Sequence, residues 1–439
     1  MQIRTSLFLI LTIVASIDLV KAQTDSGSPP PLPPVYAEYG VQPGLAVEVD
    51  SVLTFTQALQ LVVTHNPLIG ASHAEIRAAT GRLLQSRTRL NPLFSMNIED
   101  FGRSTTGGPS QSTFGIEQRV ELWGKRKASR EAAAADMRAT QYDSERFLLE
   151  LYQQTATVFA SLLGAQENFA NAEKRLDLAL HIQEAVKIKV NDGAAPKAEL
   201  LRAESSAKLA QVDLEQARAS LNRSRIALAT LWGGAPLPQR AEGRLDWWTQ
   251  LPDNDTLLEL INKHPLLRGL EAQVESRQAN LRLARSLGKP DITVGGGYRR
   301  LHDGNDNGFL LWASAPLPIF DRNKGGVQES AAKIDALRAE LTFTKQNLTS
   351  QLQQLLVTLV AQQTEVALIQ NEALPPAKAA LEAIDEAYRL GSQPFLNVLD
   401  AQRTLAEIQL RLITAQVTGA SIVAEIESLT GRPIGMARR

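Results

Sequence analysis

Long polar segments almost free of proline, a self-match at one fixed offset, and strands with one oily side point to a mainly α chain that also carries membrane β-structure. The segments Phe55 to Leu90, Lys125 to Val190, Lys197 to Trp232, Thr256 to Leu287, Lys324 to Leu390 and Phe395 to Thr430 read as helices, with proline inside them only at Pro67, Pro265, Pro375 and Pro376. Two of these would reach roughly 65 residues, or about 100 Å at 1.5 Å per residue. Such lengths need coiled-coil packing, because a globular domain has no room for them.

The self-match sets the organisation. Pro67 and Pro265 are 198 residues apart, as are Pro92 and Pro290, Gly193 and Gly391, Pro196 and Pro394, and Gly233 and Gly431. Each half therefore reads helix, strand, strand, helix, helix. The expected layout is a signal segment at 1–22, a Pro-rich tether at 23–52 that runs extended, and a first repeat at 53–233 with its β-hairpin at 93–122. An insert at 234–254 follows, then a second repeat at 255–431 with its hairpin at 291–317, and a tail at 432–439.

Composition bounds the rest. With Lys+Arg 46 against Asp+Glu 47 there is no basic surplus to recruit nucleic acid. Cysteine is absent, which excludes disulfides, thiolate metal sites, cysteine nucleophiles and a lipidated N-terminal cysteine. Arg4, the apolar run Leu7 to Ile17 and the small residues around Ala22 read as a secretory signal cleaved after Ala22, with an uncleaved anchor as the alternative. No later stretch stays apolar for the roughly 20 residues that a spanning helix needs. A bilayer would have to be crossed with strands.

The strands carry that possibility. In the first hairpin Phe94, Met96 and Ile98 share a face, as do Phe114, Ile116, Val120 and Leu122, while Ser95, Asn97, Glu99, Glu117, Arg119 and Glu121 take the other. In the second, Ile292, Val294 and Tyr298 oppose Thr293 and Arg299, and Phe309, Leu311, Ala313, Ala315 and Leu317 share a side. Leu310 and Trp312 spoil the pattern by falling on the polar side. One reading packs each oily face on the chain's own helices. The other places it in lipid, since roughly 10 residues per strand is the length that crosses a bilayer at a tilt. Four strands cannot close a barrel, so several copies would have to complete one.

"NPLF" leading into a strand, "VELWGKRK" and "PLPIFDRNKGG" leaving the hairpins, and "AYRLGSQPFLNVLDAQ" at a helix turn together resemble the outer membrane factors of the TolC family. "NPLFSMNIEDFG" with "VELWGKR" is most similar to the CzcC branch, the outer membrane subunits of cobalt-zinc-cadmium efflux systems. The resemblance runs from about residue 50 to 431. It implies a homotrimer in the outer membrane of a Gram-negative bacterium, with twelve strands in one β-barrel and the helices continuing it as a periplasmic α-barrel. It implies a passive duct rather than an enzyme, without cofactors, that works with a periplasmic adaptor (a membrane fusion protein) and an inner membrane RND-type pump.

On that resemblance Glu99, Glu117, Arg119, Glu121 and Arg299 line a water-filled lumen, and Phe114, Ile116, Val120 and Leu122 face lipid. Gly124 marks the passage from strand to helix, and Lys125, Arg126 and Lys127 sit at the membrane boundary or on a solvated helix face. The helix-turn tips are Gly193 and Pro196 in one half and Gly391 and Pro394 in the other. A periplasmic gate falls on Tyr388, Gln393, Asn397 and Asp400, with Asn397 where the family has an acid. Asp400 is either a member of a three-carboxylate ring or an ordinary exposed helix residue. The segment holding Trp247 and Trp248 would belong to a belt around the helical tunnel, or to the membrane interface.

The candidate metal motifs are incomplete. His65 and His73 lack a third ligand and suit capping or packing. Asp303, Asn305, Asn307 and Gly308 partly fit a calcium loop, but Ser314 stands where the bidentate Glu belongs, so an external hairpin loop is favoured. The expected cargo is divalent heavy-metal cations, with organic solutes as the alternative. A soluble periplasmic coiled-coil scaffold is the rival of another class, and a periplasmic enzyme using His65 and His73 stands third.

Overall fold

The computed structural model describes residues 31–42, 52–99, 111–245, 253–301 and 306–434. The expected signal segment, most of the Pro-rich stretch, Trp247, Trp248, Asp303 and Asn305 lie outside the described residues. In chain order the elements are α1 (Pro34–Glu38), β1 (Val52–Thr54), α2 (Phe55–His65), α3 (Pro67–Arg87), β2 (Leu93–Glu99) and β3 (Gln111–Val120). Then come α4 (Lys125–Asn191), α5 (Lys197–Thr230), β4 (Arg240–Glu242), α6 (Asn254–Ile261), α7 (Pro265–Leu287), β5 (Ile292–Leu301) and β6 (Asn307–Ser314). The chain closes with α8 (Lys324–Leu368), a π-helical turn at Ile369–Ala373, α9 (Leu374–Arg389) and α10 (Phe395–Thr430).

The prolines cut the expected helices where their chemistry requires it. Pro67 and Pro265 open α3 and α7, because a residue without an N–H fits a first helical turn and not an interior. Pro375 and Pro376 sit in the first turn of α9, and the wide π turn just before them accommodates the lost donors and the ring bulk. Thr54 starts α2 with a reciprocal capping box: its hydroxyl accepts the Gln57 N–H at 3.3 Å and its own N–H donates to Gln57 Oε1 at 2.8 Å.

The chain divides into two compact units, one with residues 72–141 and 275–334, the other with residues 32–71, 142–274 and 335 onward. In the first unit the two hairpins do not stay separate. They join through β3 and β5 into one antiparallel sheet of order β2-β3-β5-β6. The observed strands also depart from the expected spans. β3 begins at Gln111 and stops at Val120, so Glu121 and Leu122 lie beyond the strand and are not part of its alternation. The physical cause is the turn that follows: Trp123 and Gly124 both take left-handed backbone (φ 60 and 75), which ends the pleat.

The second unit holds the main apolar core. Tyr36, Tyr152, Phe159, Leu59 and Leu228 are all but fully buried in it. Tyr36 and Tyr152 meet edge to face at 5.9 Å, and Phe55 packs on Tyr39 at 5.2 Å. The extended tether expected over 23–52 is corrected here. Residues 34–38 are helical, Pro34 serves at the helix start, and Val35, Tyr36 and Val41 are buried. The Tyr36 hydroxyl donates to the Leu148 carbonyl at 2.8 Å. Burying two tyrosines and two valines outweighs the extended preference of the neighbouring prolines. β1 pairs in parallel with β4, Val52 opposite Arg240, a short ladder that the sequence pattern does not announce.

Candidate functional site

The candidate residues fall in two places, the sheet in the first unit and the helix-turn tips in the second. Directly opposed residues in a ladder share a face, so the register sorts the sheet. Phe94, Met96, Phe114, Ile116, Val294, Tyr298, Phe309 and Leu311 fall on one side, and Val120 and Ile292 continue it. These side chains are exposed, Phe309 and Leu311 at 90% and 91%. The reading in which each hairpin lays its oily face on the chain's own helices is therefore corrected. Glu99, Glu117, Arg119 and Arg299 fall on the opposite side, together with Gly115, Gly295, Gly297, Leu310 and Trp312. Glu99 accepts from Gln111 Nε2 at 2.9 Å, and Arg299 Nε donates to Thr113 Oγ1 at 3.0 Å.

At one end of this sheet lies an ion cluster that sequence reasoning missed. Buried Asp291 accepts from Lys125 Nζ at 2.7 Å, Arg119 Nη2 at 2.8 Å and the Leu122 N–H at 3.1 Å. Burial pushes its carboxyl up, and the hydrogen bonds from Lys125, Arg119 and Leu122 more than offset that, holding it below the usual carboxylate range. Lys125 is itself buried, so the solvated-face reading fails for it, whereas Lys127 stays exposed. The cluster ties the end of β3, the start of α4 and the start of β5 together. Only the position of Asp291 just before a strand hints at it.

The tips repeat one backbone twice. Gly193 and Gly391 take left-handed φ of 71 and 79, a conformation open to glycine at no steric cost. The Ala194 N–H donates to the Lys189 carbonyl at 2.8 Å, and the Ser392 N–H to the Ala387 carbonyl at 2.9 Å. Pro196 and Pro394 then precede α5 and α10 with matching extended dihedrals.

Of the four expected gate residues, the structure turns Tyr388 inward and leaves Gln393, Asn397 and Asp400 exposed. The Tyr388 ring packs on Phe395 at 5.5 Å within a small core that includes Ile182, Val186, Ala203 and Val398. Its hydroxyl donates to Glu199 at 3.3 Å, and Lys189 Nζ donates to its carbonyl at 2.6 Å while lying 4.2 Å from its ring. Burial, then the Glu199 carboxylate, pushes its phenol up to about 12. Asn397 Nδ2, in the first turn of α10, donates to Gln393 Oε1 in the preceding turn at 2.7 Å.

A model of the outer membrane efflux protein family matches residues 58–234 and 257–432. The chain belongs to this family. The efflux protein is 30% identical over 416 residues to the cobalt-zinc-cadmium resistance protein CzcC of Cupriavidus metallidurans, covering 94% of this chain and 95% of that one. It is 26% identical over 291 residues to the nickel-cobalt-cadmium resistance protein NccC of Alcaligenes xylosoxydans xylosoxydans, covering 65% and 66%. The solved outer-membrane channel OprN shares its fold with a TM-score of 0.76 at 17% identity, covering 93% of this chain and 95% of that one. The efflux protein is thus an outer membrane protein of the TolC-like fold, and its family is one of channels rather than enzymes.

The remaining candidates are local. The His65 ring nitrogen lies 3.3 Å from the Leu61 carbonyl of its own helix, and burial lowers the pKa of His73. Among the described residues no three His, Asp or Glu side chains gather as metal ligands. Asn307 and Gly308 belong to β6, paired with Arg300 and Arg299.

Proposed function

We propose that the efflux protein is the passive outer membrane duct of a tripartite pump and that it carries divalent heavy-metal cations. Three copies would give four strands each to one twelve-stranded barrel, and their helices would continue it as an α-barrel in the periplasm. The observation that carries this is the sheet: its apolar face is exposed, and β2 and β6 each have a neighbour on one side only among the described residues. Unpaired strand edges cannot rest in lipid, so pairing β6 of one copy with β2 of the next satisfies them.

In this reading Phe114, Ile116 and Val120 meet lipid, while Glu99, Glu117, Arg119 and Arg299 line the lumen. Glu121 and Leu122 lie past β3, at the rim. The tips at Gly193, Pro196, Gly391 and Pro394 form the periplasmic end, with Asp400 as the main charge of the gate, since three carboxylates about one axis favour cations. A periplasmic adaptor and an RND-type inner membrane pump would supply selection and energy. The likeness to CzcC and NccC, whose names specify cobalt, zinc, cadmium and nickel resistance, supports the metal cargo.

Cysteines placed at facing edge positions of β2 and β6 test the assembly: disulfide-linked trimers extracted with detergent are expected, and soluble monomers would sink the duct. A deletion strain is expected to become sensitive to cobalt, zinc or cadmium. Unchanged tolerance to all three with new sensitivity to organic compounds would move the cargo to organic solutes. Asp400→Ala is expected to reduce cation preference in planar bilayers, and an unaltered reversal potential would remove it from the gate.

A further inference from the structure

Trp312 is the residue that breaks the alternation of β6, and its surroundings explain why. Register sets it opposite Gly295, which in turn stands opposite Glu117, while Gly115 stands opposite Gly297. All share the polar face. The indole crosses β5 and reaches β3, lying in a recess made where three side chains are missing. A Cβ on Gly115 would fall 2.7 Å from Cη2, one on Gly297 3.1 Å from Cζ3, and one on Gly295 2.6 Å from Nε1 with two further ring carbons as close or closer. The separations at Gly115 and Gly295 are ones that side-chain atoms do not tolerate; at Gly297 the ring contact is tight, and the nearer obstacle is the Phe114 carbonyl oxygen at 2.7 Å. Gly296, between two of them, faces the other side and meets Leu311 instead. The indole N–H donates to Glu117 Oε2 at 3.2 Å.

The recess and the hydrogen bond have one joint consequence. Glycine at 115, 295 and 297 lets a large ring lie flat on the wall instead of standing away from it, and the ring then holds a carboxylate in a fixed place. We propose that Trp312 sets the cation preference and the bore of the duct at this level, by pinning Glu117 through its N–H while its π-face lines the path of hydrated cations. The inference rests on the reading of the polar face as the lumen wall. Trp312 acts here as a positioning residue, and Glu117 supplies the charge.

The test uses full-length protein reconstituted in planar bilayers and in lipid vesicles, with potassium chloride gradients as the probe. Trp312→Phe keeps an aromatic ring and removes the N–H. It is expected to shift the reversal potential toward zero, as is Glu117→Gln, and the double variant is expected to shift no further than Glu117→Gln alone. Gly295→Val is expected to lift the indole into the bore and lower single-channel conductance, and adding Trp312→Ala to it is expected to restore the lost conductance. A parental reversal potential in Trp312→Phe, or additive shifts in the double variant, overturns the proposal. Should Gly295→Val not assemble, the Trp312→Phe potential decides alone.

Fluorescence separates the facing of the sheet from the role of Trp312. The emission lost between parent and Trp312→Phe is expected to be quenched by acrylamide in water and spared by brominated lipid. Quenching by brominated lipid would overturn the face assignment itself. Quenching by acrylamide combined with an unaltered potential would overturn only the role given to Trp312.

Discussion

The two halves of the chain use the same backbone for different ends. The turns at Gly193 and Gly391 share their left-handed glycine, their matched carbonyl partners and their helix-starting proline. The side chains around them differ at nearly every place. Val190, Lys197, Glu199 and Arg202 in the first half stand where Tyr388, Phe395, Asn397 and Asp400 stand in the second. A glycine and a proline suffice to turn the chain, which leaves the neighbouring positions free to diverge. One turn became charged, and the other received the aromatic pair that fills the small core between them. The same division appears at the proline breaks. Asn66 accepts the Leu68 N–H through its amide oxygen at 2.8 Å, and His264 accepts the Leu266 N–H through Nδ1 at 3.2 Å. The cap is kept, yet only one of the two can titrate.

The largest break in this comparison should come from the tyrosine. Tyr388→Ala empties the centre of the tip core and is expected to cost roughly 3–5 kcal/mol of local stability, whereas Val190→Ala should cost about 1 kcal/mol. Hydrogen exchange of the backbone around both turns measures the two. Equal protection losses would show that the aromatic filling does not distinguish them.

Acidification comes next. Burial, then the nearby Arg146, pushes His264 down to about 4, so the folded chain keeps its ring neutral and able to accept. The unfolded chain binds a proton below its ordinary value near 6.5. Stability is therefore complete above about pH 6.5 and falls as the pH drops toward 4, by an amount on the order of 3 kcal/mol at the lower end. Hydrogen exchange near residue 265 between pH 7 and 4.5 should show the loss, and His264→Asn should remove it by copying the first half. A profile unchanged by that substitution would refute the assignment.

The smallest effect should be the same in both halves. Gly193→Ala and Gly391→Ala each place a Cβ in left-handed backbone, at about 1–2 kcal/mol, with no neighbouring atom within 4 Å to add to it. Thermal shifts that differ strongly between the two would mean that the shared backbone is not equally strained.

Much of this was legible in advance because it is local. Alternation over ten residues assigns Phe114 and Glu117 to opposite faces, and a Gly followed by a Pro marks each tip. The burial of Tyr36 was not legible, since a proline run with scattered tyrosines reads the same whether or not a core exists to receive it. Neither was the inward turn of Tyr388, whose partner Glu199 lies 189 residues earlier. Leu122 and Glu121 were placed in β3 by a pattern that continues past the point where Trp123 and Gly124 bend the chain. Trp312 looked like an error in a strand, although glycine at 115, 295 and 297 on the same face was a signal that something large needed room.

Periodicity, turn chemistry and duplication came from the sequence alone, because each depends on residues within a few positions or on a comparison of the chain with itself. The merging of two hairpins through β3 and β5, the Asp291 cluster and the seat of Trp312 were settled only by tertiary structure. The β3–β5 pairing, the contacts of Asp291 with Lys125 and Arg119, and the bond from Trp312 to Glu117 join residues about 165 to 195 apart, and at that separation it is strand register and packing, rather than local pattern, that choose which side chains meet.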